Sequence, residues 1–448
     1  GAIGEIFGTG YAYPYFPGFR RYIPAMAFPA FFALIGLVWK LINRERPDQA
    51  NREDSYRKFT ITLTFALASL AFGYTVFSYF YVWTSALAWV GCLGLCWLII
   101  RPEGYWRDIK TLFFLGVSFM VFLAPYAYLL SKRSHTMDEV QLLIRTHAPD
   151  LFRVPELISY VVLLVIAIGV ALKMFELREK ATLFAVSLAF VPIIVFNQQI
   201  ITGRSLQPIH YQVFIGNYVA GLALVFTLGL IWRTEHGRER IAGKAVMIFL
   251  SIAAVVWGFV ECHYTVRVLD EANILRDEGM PVARRLTELA MDAPDKHQQV
   301  VMHFGIAEAD DLPTIAPQAT LWARHQHVFS GVSWQENKER YYQYLYYQGV
   351  GKQQLADAMK TGGDFVSIIA LFGWGRHTDR LNSGYKPLTY GEIDDEVAKY
   401  EEYTRTFDPA TAGNRPLDYA ITSAGSQLDL SVIDNWYERD EGEKWGRS

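Results

Sequence analysis

FTITLTFALASLAFGYTVFSYFYVWTSALAWVGCLGLCWLII, residues 59–100, runs for 42 residues without a charged side chain. A membrane-spanning helix takes about 20 apolar residues at a rise of about 1.5 Å each, so this run is far too long for one crossing. It reads as two helices, 59–81 and 83–100, joined by a tight hairpin near 78–84. Working outward, six further apolar stretches have spanning length: 22–41, 111–130, 156–172, 181–201, 214–232 and 245–264. A soluble core does not repeat that length so often. The sequence therefore predicts a polytopic α-helical membrane protein of about eight transmembrane helices over residues 1–264.

Charge divides the chain in the same place. Of 448 residues 52% are hydrophobic and 19% charged, and the net charge is −3. Residues 1–264 carry 23 Lys/Arg and 16 Asp/Glu, whereas residues 265–448 carry 19 and 29. The second part has the size and charge of a globular domain. No basic run or Lys/Arg stripe is present, which argues against a nucleic-acid partner. Cys92 and Cys96 lie in one apolar run and Cys262 ends another, so the three cysteines read as small core residues.

Orientation follows from the short loops. The segments 44–58, 101–110, 173–180 and 233–244 hold 15 Lys/Arg, and the opposite side holds 7. The richer side is expected to be cytoplasmic. Gly1 and the 265–448 domain are then extracytoplasmic, in a multi-pass protein of the inner (plasma) membrane. Residues 1–20 lack the basic and apolar regions of a signal peptide. An external start without a signal suggests an odd number of further helices upstream of Gly1.

On the expected outer side, polar residues stand where isolated ones are costly. The loop 131–155 contains TMDEVQLLIRTHAPDLFRVPE (136–156), in which Val140, Leu142, Leu143 and Ile144 would rest on the membrane and Asp138, Glu139, Arg145 and His147 would face water. The sixth and seventh helices are joined by NQQIITGRSLQPIHYQ (197–212). Two readings of this segment stand. In one, the helix end is capped by its own amides, with Arg204 reaching to lipid head groups and His210 capping the next helix. In the other, it forms a polar pocket with the 131–155 loop, where Gln198, Arg204, Gln207 and His210 bind substrate. Arg supplies a fork of donors suited to phosphate, and His a second donor.

Residues 265–448 alternate strand-like and helix-like runs. Strands are expected at 298–305, 319–323, 364–374 and 417–424, and helices at 264–291, 333–350, 351–360 and 390–407. Ser333 with Glu336 three residues on is a helix-start signature. The pattern predicts a small α/β layer with a mainly parallel sheet. No dinucleotide or P-loop fingerprint occurs, and no cofactor is assigned. His325 and His327, with His303 or His377, are weak candidates for a metal, because no Cys or carboxylate partner stands at ligand spacing. Tyr341, Tyr342, Tyr344, Tyr346 and Tyr347 either pack one helix face on the sheet or offer rings for sugar stacking.

Three segments, GEIFGTGYAYPYFPGFRRYIP (4–24), 197–212 and LPTIAPQATLWARHQHVFSGVSWQENKERYYQYLYY (312–347), with the plan of many helices and an external C-terminal α/β domain, resemble uncharacterised bacterial members of the GT-C type glycosyltransferases. The resemblance covers the layout of the whole chain, and its motifs specify no substrate. It implies a transferase that uses a lipid-phosphate sugar donor at the outer face of the membrane. A carboxylate would deprotonate the acceptor hydroxyl, and Arg204 and His210 would balance the leaving phosphate. Asp138, Glu139 and Asp150 are the candidate bases. In such enzymes the acid usually sits in the first external loop, which here would lie upstream of Gly1. The alternative is a non-catalytic accessory subunit that meets the lipid bilayer and other membrane subunits of a larger assembly.

Overall fold

The computed structural model describes residues 2–8, 22–44, 53–132, 143–206, 208–234, 241–326, 331–373, 376–377, 386–411, 413–423 and 426–438. The chain divides into two compact units. One comprises Gly1–Ser131 and His147–Val268, the other Lys132–Thr146 and Leu269–Ser448.

The first unit is helical: α1 (Tyr22–Ile42), α2 (Glu53–Ser78), α3 (Phe80–Ile100), α4 (Tyr105–Ser131), α5 (Val154–Ala171), α6 (Lys180–Asn197), α7 (Asn217–Arg233) and, as far as Val268, α8 (Ile241–Met291). Among the described residues seven helical stretches are long and apolar enough to cross a membrane, as a multi-pass membrane protein requires: Tyr56–Ser78, Phe80–Ile100, Tyr105–Ser131, Val154–Ala171, Lys180–Thr202, Pro208–Arg233 and Ile248–Arg267. Helix α1 occupies the site of the first expected span, with Met26–Ile42 as a shorter apolar helix. The long uncharged run breaks at one residue, Tyr79, whose backbone is extended (φ −156°, ψ 121°). There the chain reverses. Ser69 bonds to Ser118 at 2.8 Å and Phe72 stacks on Phe119 at 3.7 Å, so α2 and α4 run parallel. Trp83 meets Tyr126 and Trp97 meets Asp108, so α3 runs back between them.

The outside of this unit is apolar. Leu67, Leu70, Phe113, Val117, Val121, Val161, Leu164 and Ile168 are all exposed. A belt of that kind is stable against lipid and not against water. Because lipid tails are as apolar as leucine, helices in a bilayer associate through close packing and hydrogen bonds. The buried positions show this: Ala86, Ser85, Ala185, Ser187, Ala189, Ala220 and Ala223 let backbones approach. Trp89, fully buried, donates its indole N–H to Ser187 Oγ at 3.2 Å.

One end of the bundle is tied by a buried charge. Asp108 is fully buried and bonds Lys180 Nζ (2.5 Å), Arg107 (3.1 Å) and the Trp97 indole (3.2 Å). Lys180 also donates to the Ile42 carbonyl at 2.7 Å. The ends of α1, α3, α4 and α6 are thereby drawn together. A helix beginning at 264 is not seen as a separate element, because α8 is continuous for 51 residues.

The second unit contains a three-stranded sheet of β1 (Val300–His303), β2 (Ala319–Thr320) and β3 (Tyr419–Ile421), in the order β2-β1-β3 with both pairings parallel. The central strand is buried throughout, as a parallel strand covered on both faces must be. Around it lie α9 (Ile306–Asp311), α10 (Trp334–Tyr347), α11 (Lys352–Lys360), α12 (Phe365–Phe372), α13 (Tyr390–Thr406) and the short α14 (Ser431–Asp434). The strand expected at 364–374 is instead helix α12. Asp364 accepts from the Ser367 N–H at 3.0 Å, starting the helix, and Gly373 at φ 83° ends it. A short apolar run rich in Ile and Val has no periodicity that separates strand from buried helix, and the cap decides.

Candidate functional site

At the bundle end where α5 begins and α6 finishes, the polar side chains form a hydrogen-bonded network. Asn197, in the last turn of α6, uses its whole amide. Its Oδ1 accepts from the Asp150 N–H (2.9 Å), and its Nδ2 faces the Asp150 carbonyl (3.1 Å), Glu156 Oε1 (2.8 Å) and the Ile193 carbonyl (2.9 Å). Glu156, fully buried, also accepts from the Arg153 N–H at 3.0 Å, which caps α5. Arg153 is ion-paired to Asp150 and reaches Gln212 Oε1 at 3.2 Å. The Gln199 amide donates to the Ala148 carbonyl (3.2 Å), and His147 donates to the Ile200 carbonyl (3.0 Å). The loop before α5 is thus fastened to the end of α6.

The sequence-predicted residues separate here into distinct environments. Asp150 sits in the network with its carboxylate engaged by Arg153, so it does not stand open as a base. Gln198 folds back to the Arg204 carbonyl at 2.7 Å and accepts from Thr202 at 2.8 Å. This is the self-capping reading of the helix end. Arg204 is exposed. His210 stacks on Tyr81 with ring centroids 5.0 Å apart and planes 12° from parallel, and also contacts Phe214. Asp138, Glu139 and Gln207 lie outside the described residues, as does His327. Of the stretch expected to rest on the membrane, Leu143–Arg145 is a short strand.

Gly203 shapes the turn. It ends the helical turn Gln199–Thr202 at φ 68°, and a Cβ there would come within 3.0 Å of the His147 ring. At the same end of the bundle, Trp83 Nε1, Gln199 Oε1 and Asn217 Oδ1 are buried without a hydrogen-bond partner among the described residues. Buried polar atoms of this kind call for a water or a polar ligand.

In the second unit the carboxyl edge of the sheet gathers ionisable groups. His303 ends β1, is buried, and accepts at Nδ1 from the Gly305 N–H at 2.9 Å, which places its proton on Nε2. Burial holds its pKa below the usual histidine value, keeping the ring neutral. His325, after β2, bonds Asp310 Oδ2 at 2.8 Å, with Arg324 on the same oxygen at 3.2 Å. Burial works to raise the Asp310 pKa, but the bonds from His325 and the neighbouring Arg324 more than offset it. His325 is therefore committed to a carboxylate. Among the described residues no group of three or more His, Cys, Asp or Glu stands together as a metal site. The tyrosines of α10 are in the core. Tyr341, Tyr342, Tyr344 and Tyr347 are buried, with Tyr341 and Tyr344 against Trp322 and the Tyr342 hydroxyl on Glu396 at 2.6 Å. They pack, and those four present no face to a sugar.

The Asp108–Lys180–Arg107 cluster was not singled out in the sequence, and Asn197 stood in the marked 197–212 segment without its partners Arg153 and Glu156 being named. The available signal was charge at the very edge of apolar spans, which also describes ordinary flanking residues. No protein-family profile, curated protein or solved structure matches the chain. The resemblance to the GT-C type enzymes rests on the quoted segments and the layout alone.

Proposed function

We propose that this chain is a multi-pass membrane protein that receives the head group of a lipid-linked sugar at the bundle end formed by α5, α6 and the 197–212 segment, as a GT-C type transferase would. The observation that carries the reading is the set of buried polar atoms without a partner among the described residues, Trp83 Nε1, Gln199 Oε1 and Asn217 Oδ1, at the end that also presents the exposed Arg204. Arg204 is the cation for a phosphate, which its planar fork fits bidentately. In this reading the Lys/Arg-poor end faces the extracytoplasmic side, where such donors are presented, and the 265–448 part lies on that side with it. Of the candidate bases, Asp150 is held by Arg153 and does not serve as the general base in this reading.

A second reading, a non-catalytic accessory subunit of a larger membrane assembly, is favoured by that same Asp150–Arg153 pair. It makes the polar end a fastener instead of a reaction centre.

Binding of a polyprenyl-phosphate sugar to the purified chain, and transfer from it, separate the two. The transferase reading expects Arg204→Ala to weaken binding at least tenfold and Arg204→Lys to recover only part of it. Equal binding and transfer by both variants and the unaltered chain would remove Arg204 from the site. Absence of any donor binding by the unaltered chain would favour the accessory subunit.

A further inference from the structure

At the opposite end of the bundle a cleft of about 380 Å³ opens between α1, α2 and α4. Its walls divide by chemistry. Leu41, Ile61, Phe65 and Phe114 form an apolar side, and Arg44, Arg107 and Lys110 a cationic one, with Thr62 and Thr111 between them. Acyl-chain contact on one side and phosphate contact on the other is the pattern a glycerophospholipid offers at the membrane surface.

The cations are held for a ligand to reach. Arg44 is steadied by a bond from its Nη2 to Thr111 Oγ1 at 3.2 Å. Arg107 is oriented by Asp108 and leans toward the Ile42 carbonyl at 3.5 Å. Lys110 is exposed and has no polar partner among the described residues. The carboxylate among the described residues of this cluster, Asp108, is already neutralised by Lys180 as well as Arg107. Among the described residues, the cations of this cluster therefore outnumber its one carboxylate. Burial, then the adjacent Arg107, with Arg57 adding to it, lowers the Arg44 pKa, and Asp108 opposes them. Crowded guanidinium groups of this kind are stabilised when an anion sits among them.

We propose that the Arg44–Arg107–Lys110 cleft binds the phosphate-bearing head group of an anionic phospholipid. The apolar wall selects a lipid over a soluble anion. Basic pockets between helix ends are the usual protein device for such head groups. The site is independent of the 197–212 segment, so it stands or falls apart from the transferase reading.

The test uses the full chain purified in detergent, with thermal unfolding followed as phosphatidylglycerol, phosphatidylcholine or inorganic phosphate is added. Saturable stabilisation by phosphatidylglycerol, with little from phosphatidylcholine or phosphate, is expected. Lys110→Gln should weaken it about fivefold, and Arg44→Gln with Lys110→Gln more than twentyfold, at about fivefold for each cation removed. Lys110 makes no bond to the described residues, so the single variant keeps the fold intact and the test valid if the double variant does not. Lys173→Gln, an exposed cation at the same end but outside the cleft, should leave affinity unchanged. Unchanged affinity in Lys110→Gln, an equal loss in Lys173→Gln (diffuse surface charge), or equal stabilisation by inorganic phosphate (a soluble-anion site) would each overturn the proposal.

Discussion

Asn197 shows how one side chain closes a helix end. Its amide joins the Asp150 backbone, the buried Glu156 and its own helix, so three chain segments meet on one group. Asn197→Ala leaves the Asp150 N–H and a Glu156 oxygen unpaired in a buried place. Each such loss costs about 1–3 kcal/mol. The variant is expected to unfold in detergent several degrees below the unaltered chain. It should also lose order in the loop before α5, read as faster hydrogen exchange at residues 147–153. A melting temperature unchanged to within a degree, with exchange unchanged, would show that water takes over these bonds at no cost. Gln198 and Gln199 resemble Asn197 in sequence, yet one caps its own turn and the other holds Ala148. Their roles differ because successive helical positions point about 100° apart.

At the scale of elements, the contact of α10 with α13 holds a buried ion pair in the second unit's core. Glu396 on α13 is buried and bonded to Lys338 Nζ at 2.5 Å and to the Tyr342 hydroxyl at 2.6 Å, with Lys399 at 3.3 Å. Burial pushes its pKa up, but the Lys338 and Tyr342 bonds outweigh burial and leave the carboxyl below its ordinary value. A carboxyl with a lower pKa folded than unfolded stabilises fully above its unfolded value of about 4.3, and that contribution is lost as pH falls through the folded value. Glu396→Gln removes the contribution. The stability gap between the unaltered chain and the variant, followed by near-ultraviolet circular dichroism of the tyrosine cluster, should be full at pH 6 and shrink below about pH 4. A gap independent of pH would assign the effect to packing alone. The same helices explain the misread run at 364–374. α12 sits against α10 through Asn337 and the Ala370 carbonyl (3.0 Å) and through Tyr341 and Ser367 (2.7 Å), partners a strand would not have offered at that spacing.

Across the whole molecule, the two ends of the bundle differ in charge management. One end gathers Arg44, Arg107, Lys110 and Lys180 around a single buried carboxylate, and the other balances Arg153 against Asp150 and Glu156. The Lys/Arg-rich end is expected to be cytoplasmic. A cysteine placed at the exposed Gln353 should then react with a membrane-impermeant maleimide from outside intact cells, and one at the exposed Tyr56 should not. The native Cys92, Cys96 and Cys262, buried or partly so, set the background. Labelling at Tyr56→Cys and protection at Gln353→Cys would reverse the orientation and move the candidate sugar-lipid site to the wrong leaflet.

The amino-acid sequence by itself determined seven of the eight expected helical spans, the turn inside the 42-residue run and three of the four expected strands. Lipid demands an uninterrupted apolar length and a buried strand demands a short one, and both demands are local in the chain. It also marked 197–212 as unusual, because amides at a span's end need partners wherever they go. What those partners are was decided only by tertiary structure. Asn197 meets Asp150 across 47 residues, Asp108 meets Lys180 across 72, and Tyr342 meets Glu396 across 54. The same residue types serve as solvated surface charges elsewhere in the chain. Composition cannot distinguish the two uses, because the difference lies in whether burial removes the water that would otherwise satisfy them.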